Sequence, residues 1–326
     1  MKIIDFEHHL FTEEQLQRRG ANSDKAGRAW DKNGRLKNRP SLVSSQVESH
    51  LHFMDHAGID VSVLSTNMCA NLTEARAWNN FCGKFVREYP ERFAGFAVTR
   101  PLEGKPAFEE MERAIKELGL KGVHIQTRIE GRHLDSNELW PFYEKVAELD
   151  VPIDVHVEKE PDGVDVLKAP YAMYYVLARE LDMCSATLRV CLGGVLEDFP
   201  DLTFIMNHFG GGISIFKERV DLYVNDMGDD FYFGSPRVSK PWTQYFEKLY
   251  FNLAGREIGI DTLKCALVNI KPTRLLFGTD WPWNFEGNPE GAKQYIEEIR
   301  KLELPPNDIE AMLGGNAETL LGIENA

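Results

Sequence analysis

Eight short apolar runs separated by helical patterns restrict the fold of this chain more than any other feature. The runs lie at residues 2–6, 61–65, 93–99, 121–126, 151–156, 202–207, 249–253 and 274–279. They are rich in Val, Ile, Leu and Phe, which is typical of parallel strands that are buried on both faces. The intervals have helical periodicity, as from Pro106 to Leu118, where Gly119 supplies a natural helix end. The alternation predicts parallel βαβ units.

Eight such units predict an α/β fold of the (β/α)8 TIM barrel type, in one domain over residues 1–326. A doubly wound open sheet is the competing fold. No GxGxxG follows the first strand, so a dinucleotide site at that position is not expected. Residues 10–45 are polar and basic and fit neither pattern, and we interpret them as an insertion that forms a lid over the barrel mouth. A final helix is expected over residues 306–322.

The net charge indicates which classes of binding partner to exclude, and the cysteine content indicates the cellular compartment. The 326 residues carry a formal net charge of −14, from 37 Lys and Arg against 51 Asp and Glu. This balance argues against nucleic acids and anionic membranes as partners, because both require basic patches. The five cysteines form no CxxC, and no apolar run approaches the roughly 18 residues that span a bilayer. With no secretion signal pattern at the start, we expect a cytoplasmic protein with reduced thiols.

Four of the eight predicted strands end on possible metal ligands. These endings are Glu7-His8-His9, His156, His208 and Asp280. In a parallel barrel the carboxyl ends of the strands meet at one rim, so residues far apart in sequence can converge there. The shared position of the four endings predicts a common site of chemistry at the barrel mouth.

The first strand offers two of these ligands. Because successive side chains point to opposite faces of a strand, Asp5, Glu7 and His9 are expected on one face and His8 on the other. Glu7 and His9 are therefore the paired candidates. An ExH pair alone is a weak signal, and the three other strand endings strengthen it.

Five segments resemble the amidohydrolase-related family of metal-dependent decarboxylases and hydrolases, over nearly the whole chain. They are Glu7-His8-His9, Val155-His156, the run from Gly193 to Leu202, Asn207-His208-Phe209-Gly210-Gly211-Gly212, and Phe277-Gly278-Thr279-Asp280-Trp281-Pro282. The last three are fairly specific motifs. The ExH at the start, in place of the HxH of much of the superfamily, resembles the γ-resorcylate decarboxylase branch.

The resemblance implies one divalent metal ion, Zn²⁺ or Mn²⁺, with four protein ligands. These ligands are Glu7, His9, His156 and Asp280. His208 is implied just outside the ligand set, where it faces substrate and water. The only lysine on strand four, Lys121, lies at its start, so a binuclear site bridged by a carbamylated lysine is disfavoured.

Three further residues are candidates for substrate binding. The resemblance implies that Arg219 reaches the substrate carboxylate, in some members across a dimer interface, although a surface arginine is the alternative. Gln126 shares a strand face with His124 and is a candidate for lining the mouth. Trp281 follows Asp280 and could form the wall of an aromatic pocket or pack beneath its loop. Gly210 to Gly212 open the helix after strand six, either simply as a tight strand-to-helix turn or, in addition, with backbone N–H groups near the substrate.

These residues lead to one main hypothesis and two rivals. The main hypothesis is non-oxidative decarboxylation of a hydroxylated aromatic or dienoic carboxylic acid by a homodimer or higher homo-oligomer. Asp280 would then be both ligand and proton donor, while His208 positions the substrate or activates water. The rival activity is hydrolysis of a lactone, amide or ester by an activated water. A barrel that binds metal without catalysis is the third interpretation.

Overall fold

Eight parallel strands form the centre of the molecule. This is a computed structural model, and it describes residues 2–21, 27–30, 36–39, 41–157, 173–226, 235–253, 259–284 and 288–323. The strands are β1 (Ile4–His9), β2 (Val61–Ser65), β3 (Phe93–Val98), β4 (Gly122–Gln126), β5 (Ile153–His156), β6 (Phe204–Met206), β7 (Tyr250–Asn252) and β8 (Leu275–Leu276). Each strand pairs in parallel with the next one in the series.

Backbone hydrogen bonds between the first strand and the chain at and beyond β8 close this sheet into a barrel. The Phe6 amide donates to the Phe277 carbonyl at 2.8 Å, and the Asp280 amide donates to the Glu7 carbonyl at 2.8 Å. The (β/α)8 prediction is therefore confirmed. Closure matters for function because it brings Asp280, near the end of the chain, beside Glu7 at its start.

The helices of the described residues follow the strands and surround the barrel. Their bounds are Glu13–Arg18, Val47–Ala57, Leu72–Glu88, Lys105–Lys116, Trp140–Leu149, Arg179–Leu192, Val195–Asp198, Lys217–Asp221, Trp242–Phe246, Ile260–Ala266, Pro289–Arg300, Pro306–Glu310 and Asn316–Leu321. Wider π turns occupy Tyr174–Ala178, Leu222–Asp226 and Ala311–Gly315. None of the described helices is both long and apolar enough to cross a membrane.

The barrel interior changes from apolar to polar along its axis. Phe6, Val63, Phe96 and Ile205 belong to one buried apolar cluster that fills the lower barrel. Towards the carboxyl ends of the strands, buried polar side chains such as Asp154 take their place. The apolar layer thus forms a close-packed floor beneath a polar mouth.

A β-bulge in the first strand decides which residues face that mouth. The register between β1 and β2 shifts between Asp5 and His8. Phe6 packs inside the barrel, so strict alternation would turn Glu7 outward, and the extra residue of the bulge turns it inward instead. Asp5 lies on the outer side, where its Oδ2 is 2.8 Å from His8 Nδ1. The prediction that Asp5 shares the face of Glu7 and His9 is therefore wrong.

A left-handed turn follows β6. The φ angles from His208 to Gly212 are 51°, 53°, 63°, 70° and 75°, in the left-handed region that favours glycine. A Cβ on Gly211 would lie 2.0 Å from the Glu180 carbonyl oxygen, so this position also needs glycine for space. Gly210 to Gly212 therefore form a tight turn between β6 and the right-handed helical backbone that begins at Ile213, which is the first of the two alternatives for these glycines.

The insertion after β1 is partly folded against the barrel. Thr12 and Gln15 form a capping box at the start of the helix Glu13–Arg18. Phe11 and Leu16 are buried in a small apolar cluster that also contacts Trp283. Residues 27–30 and 36–39 pair as an antiparallel hairpin. Residues 22–26, 31–35 and 40 of this segment lie outside the described residues, and its role as a lid stays a prediction.

Candidate metal centre

The four predicted ligands meet at the carboxyl end of the barrel. Glu7 and His9 come from β1, His156 ends β5, and Asp280 follows β8. One ligand atom from each residue lies within 4.8 Å of the others, and all four residues are buried. Bonds of about 2.0–2.3 Å to a central ion place its ligands up to about 4.6 Å apart. The cluster therefore has nearly the span of a mononuclear metal shell.

Several buried atoms of this cluster lack hydrogen-bond partners within the described residues. They include both carboxylate oxygens of Glu7, Nδ1 of His9 and Nε2 of His156. Leaving such atoms unpaired in the interior is costly, so each is expected to have a partner in the working protein. A divalent cation would satisfy the Glu7 oxygens and His156 Nε2 together. Two imidazoles and two carboxylates without a thiolate suit Mn²⁺ as well as Zn²⁺.

A hydrogen bond behind His156 prepares it for this role. Its Nδ1 lies 3.0 Å from the carbonyl oxygen of Val157, which can only accept, so Nδ1 carries the proton. Nε2 is then left with a lone pair on the side of the cluster. Outer hydrogen bonds of this kind orient imidazole ligands in metalloproteins.

Burial and the two clustered carboxylates shape the electrostatics of the site. Burial, reinforced by the charge of Glu7, raises the pKa of Asp280 well above its usual value. Burial opposes ionisation of Glu7 as well, but the positive charge on His208 lowers the pKa of Glu7 overall. Burial lowers the pKa of His9 to about 4 and that of His156 well below 6.5. The cluster therefore combines neutral imidazoles with two carboxylates that repel each other when both are ionised. A divalent cation between them would stabilise both ionised carboxylates.

His208 lies beside the four ligands, and two carboxylates flank its ring. Its Nε2 is 3.4 Å from Glu7 Oε1, and its Nδ1 is 2.9 Å from Glu180 Oε1. Burial alone would lower the pKa of His208, because it disfavours the charged ring. The negative charges of Glu180 and Glu7 outweigh this effect and raise the pKa of His208 well above its usual value. The two carboxylates thus favour the protonated ring, whose Nε2 faces the cluster. Asn252 Oδ1 accepts the His208 amide at 3.1 Å and holds the turn in place.

Sequence reasoning missed Glu180 and its neighbour Arg179. Both lie at the start of the helix Arg179–Leu192, and Glu180 is 28 positions before His208. The charge of Arg179 helps to lower the pKa of both Glu7 and Glu180. No motif marks either residue, because the contact depends on the left-handed turn that brings His208 against this helix. A sequence signal for Glu180 was absent.

The three predicted substrate residues have different positions. Gln126 is in register with His156 on the neighbouring strand and therefore lies at the mouth. Arg219 is exposed, and its guanidinium lies 5.1 Å from the centre of the Tyr223 ring. Within one chain the structure does not bring Arg219 to the cluster.

Of the two alternatives for Trp281, the structure has the one in which its ring is a packing residue. Its ring is 3% exposed, stacks on His8 at 4.7 Å between ring centres, and lies 4.3 Å from His50. An isolated parallel bridge between His8 and Trp281 holds this ring beside His8 on the outer side of β1. Trp283 lies nearer the mouth, where its ring contacts Phe11.

Comparison with known proteins agrees with this geometry. The sequence profile described as Amidohydrolase matches residues 4–323. The chain is 28% identical to the γ-resorcylate decarboxylase of Polaromonas sp. (strain JS666), over 97% of each protein. It is 26% identical to 2-amino-3-carboxymuconate-6-semialdehyde decarboxylase of Dictyostelium discoideum, over 77% of this chain and 67% of that protein.

A solved structure has the same fold. The dihydroxybenzoic acid decarboxylase of Polaromonas sp. JS666, determined with bound manganese and the inhibitor 2-nitroresorcinol, superposes with a TM-score of 0.77. The match covers 100% of this chain and 98% of that one at 23% identity. The barrel, the four converging ligands and the profile match over almost the whole length lead to one conclusion. The chain belongs to the amidohydrolase family.

Proposed function

We propose that this protein is a metal-dependent, non-oxidative decarboxylase of a hydroxylated aromatic, or dienoic, carboxylic acid. The observation that carries the proposal is the buried cluster of Glu7, His9, His156 and Asp280 with His208 beside it, its Nε2 3.4 Å from Glu7 Oε1. The relatives that match most of the chain are decarboxylases by name, which supports a carboxy-lyase in preference to a hydrolase.

The four clustered residues would hold one divalent cation, Mn²⁺ or Zn²⁺. The manganese in the Polaromonas decarboxylase structure supports the first choice. When bound, the cation supplies Lewis-acid polarisation of the substrate oxygens and fixes their orientation.

Asp280 and His208 divide the proton chemistry between them. After the cation has displaced the proton of the metal-free site, Asp280 would take up a proton from solvent when the acid binds, and burial of its carboxyl, which raises its pKa, favours that protonated form. Its carboxyl would protonate the ring carbon that bears the carboxylate, after which the carbon–carbon bond breaks and CO₂ leaves. Asp280 then regains a proton from solvent. His208, held through Nδ1 by Glu180, would donate its Nε2 proton in a hydrogen bond to a substrate oxygen.

The direct test is CO₂ release from a panel of acids by the manganese-loaded and zinc-loaded protein. Salicylate-like and resorcylate-like acids should yield CO₂ and the corresponding phenol, and chelator-treated protein should be inactive. A parallel panel of lactones, amides and esters tests the rival activity. Hydrolysis without any CO₂ release would overturn the proposal.

We further propose that the protein works as a homodimer or higher oligomer in which Arg219 acts on a neighbouring site. Exposed apolar side chains lie near this arginine in the chain, Ile215 at 70% four positions before it and Leu222 at 48% three positions after it, and Val268 is 77% exposed. Ser214 bonds to the Cys265 carbonyl, which places Ile215 and Val268 on adjoining segments. Contiguous apolar surface of this kind is typical of subunit interfaces. A monomer in sedimentation equilibrium, at assay concentration, would remove Arg219 from the site.

A cytoplasmic location is also proposed, supported by the five cysteines, which are all free thiols. Thiol titration of protein isolated and denatured without reductant should find all five. Disulfides in that sample would contradict the proposed compartment.

A further inference from the structure

A buried chain of polar side chains lies behind the metal cluster, on the outer side of β1. It links Asp5, His8, His50 and Thr279, and all four residues are fully buried. Asp5 and His8 flank the bulge of β1 that turns Glu7 towards the cluster. Burying four polar side chains is costly unless they bond to one another, so the hydrogen bonds between them define what the chain does.

Asp5 ties the bulge of β1 to the chain after β8. Its Oδ1 accepts the Thr279 amide at 2.8 Å, and its Oδ2 accepts the Thr279 hydroxyl at 2.6 Å. Oδ1 also accepts the Glu7 amide at 3.3 Å. A bulge leaves a residue unpaired in the ladder, and here the Asp5 carboxylate accepts an amide of the bulge itself. This bond helps to hold the bulge in shape.

His8 continues the chain on the other side of the bulge. Its Nδ1 is 2.8 Å from Asp5 Oδ2, and its Nε2 is 3.0 Å from His50 Nδ1. Its ring also stacks on Trp281, with 4.7 Å between ring centres and 13° between the ring planes. Both ring nitrogens and one ring face are thus held, which gives the side chain of His8 a single orientation.

The far end of the chain fixes the role of His50. Its Nε2 lies 3.0 Å from the carbonyl oxygen of Ser44, which can only accept, so Nε2 carries a proton. Burial, reinforced by His8, lowers the pKa of His50 well below its usual value, so the ring is neutral and Nδ1 has a lone pair. His8 Nε2 is therefore the donor in its bond to His50.

The chain is joined to three of the four metal ligands through the backbone. His8 separates Glu7 from His9 in β1, and Trp281 directly follows Asp280. The His9 amide donates to the Trp281 carbonyl, and the Asp280 amide donates to the Glu7 carbonyl, both at 2.8 Å. Because the His8 ring packs on Trp281, a change in its orientation would disturb the backbone that carries these three ligands.

We propose that His50 is a positioning residue for the metal cluster, which acts through His8 and Asp5 on the β1 bulge. His50 Nδ1 holds the His8 ring, the ring and Asp5 hold the bulge, and the bulge directs Glu7 to the cluster. This inference rests on the proposed function only in that a divalent cation binds there. Loss of hydrogen bonds that orient metal ligands costs about 10–100-fold in metal affinity or activity.

The test uses two substitutions of nearly equal size at one position. His50→Leu removes the acceptor for His8, whereas His50→Asn places an amide oxygen near the position of the lost Nδ1. His50→Leu should weaken Mn²⁺ binding about tenfold or more, and His50→Asn should recover most of that loss. Competition with a chelator gives the Kd for Mn²⁺, and thermal melting of the metal-free proteins checks the fold.

Two further variants complete the design. Asp5→Asn serves as the second variant if His50→Leu does not fold. It places an amide N–H against donors that now bond to the carboxylate, so it should also weaken Mn²⁺ binding about tenfold. Phe85→Leu is the packing control, because the Phe85 ring packs 5.6 Å from the centre of the His50 ring without a hydrogen bond. This control should melt at a lower temperature and keep the wild-type Kd for Mn²⁺.

The failures of the two proposals are distinguishable. A wild-type Kd in His50→Leu, or an equal loss in His50→Leu and His50→Asn, would overturn the positioning role, and so would a wild-type Kd in Asp5→Asn. CO₂ release is recorded separately. Mn²⁺ binding that depends on the His50 acceptor supports the positioning role even if no CO₂ appears, and that result would contradict only the decarboxylase proposal.

Discussion

Replacing Asp280 with Asn is expected to lower the rate of CO₂ release about 10³-fold or more while the barrel remains folded. Asparagine keeps an oxygen at the ligand position, but it has no acidic proton to deliver to the ring carbon. Proton transfer by a positioned side chain contributes roughly 10²–10⁴-fold to catalysis. The buried position of Asp280, 2% exposed, leaves little room for water to substitute as the donor. The measurement is kcat, with thermal melting as a check on the fold.

Two companion variants separate the roles within the site. Glu7→Ala removes a ligand, so it should lose both bound metal and activity, with metal measured by elemental analysis. Glu180→Gln should keep the metal and lower kcat by about tenfold, because it weakens a charge-assisted hydrogen bond to His208 Nδ1. Full activity in Asp280→Asn would exclude Asp280 as the proton donor. Loss of metal from Glu180→Gln would show that Glu180 acts on the ligands instead of on His208.

Metal affinity is expected to rise steeply with pH, by about tenfold per unit or more on the acid side of the Asp280 titration. The raised pKa of Asp280 means that the metal-free site holds a proton there, which the cation must displace. Loss of the proton from His208, whose pKa is also raised, removes a repelling charge as pH increases. His9, with a pKa of about 4, is already neutral and adds nothing between pH 5 and 8. Competition with a chelator of known affinity gives the Kd at each pH.

Asp280→Asn is the matched control for this dependence. The variant should bind metal more weakly. Its log Kd should also change less steeply with pH, by about one log unit per pH unit, because it has one proton fewer to release. An unchanged slope would show that Asp280 is ionised in the metal-free protein. A metal affinity that falls as pH rises would contradict the raised pKa values of both Asp280 and His208.

The strands and the ligand set could be predicted because their signals are local. Eight apolar runs with helical spacers indicate βαβ units, and parallel units place strand endings on one rim. The predicted run at 151–156 corresponds to β5, with His156 as its last residue. Strict alternation correctly paired Glu7 with His9, but it wrongly added Asp5 to their face, because the bulge places both Phe6 and Glu7 on the inner side. A bulge has no dependable local signature in a strand of polar and aromatic residues.

The sequence by itself determined the barrel, which follows from short-range periodicity, and the strand endings that carry the candidate metal ligands at its mouth. The choice of Glu7, His9, His156 and Asp280 among those endings rested on the family resemblance. The tertiary structure alone decided what surrounds the ligands. It placed Glu180 against His208 through a left-handed turn, sent Trp281 behind β1, and joined Asp5 to Thr279 where the barrel closes. The physical reason is that these contacts link residues from separate βα units. Their geometry depends on bulges, turns and packing between units, which no single stretch of sequence encodes.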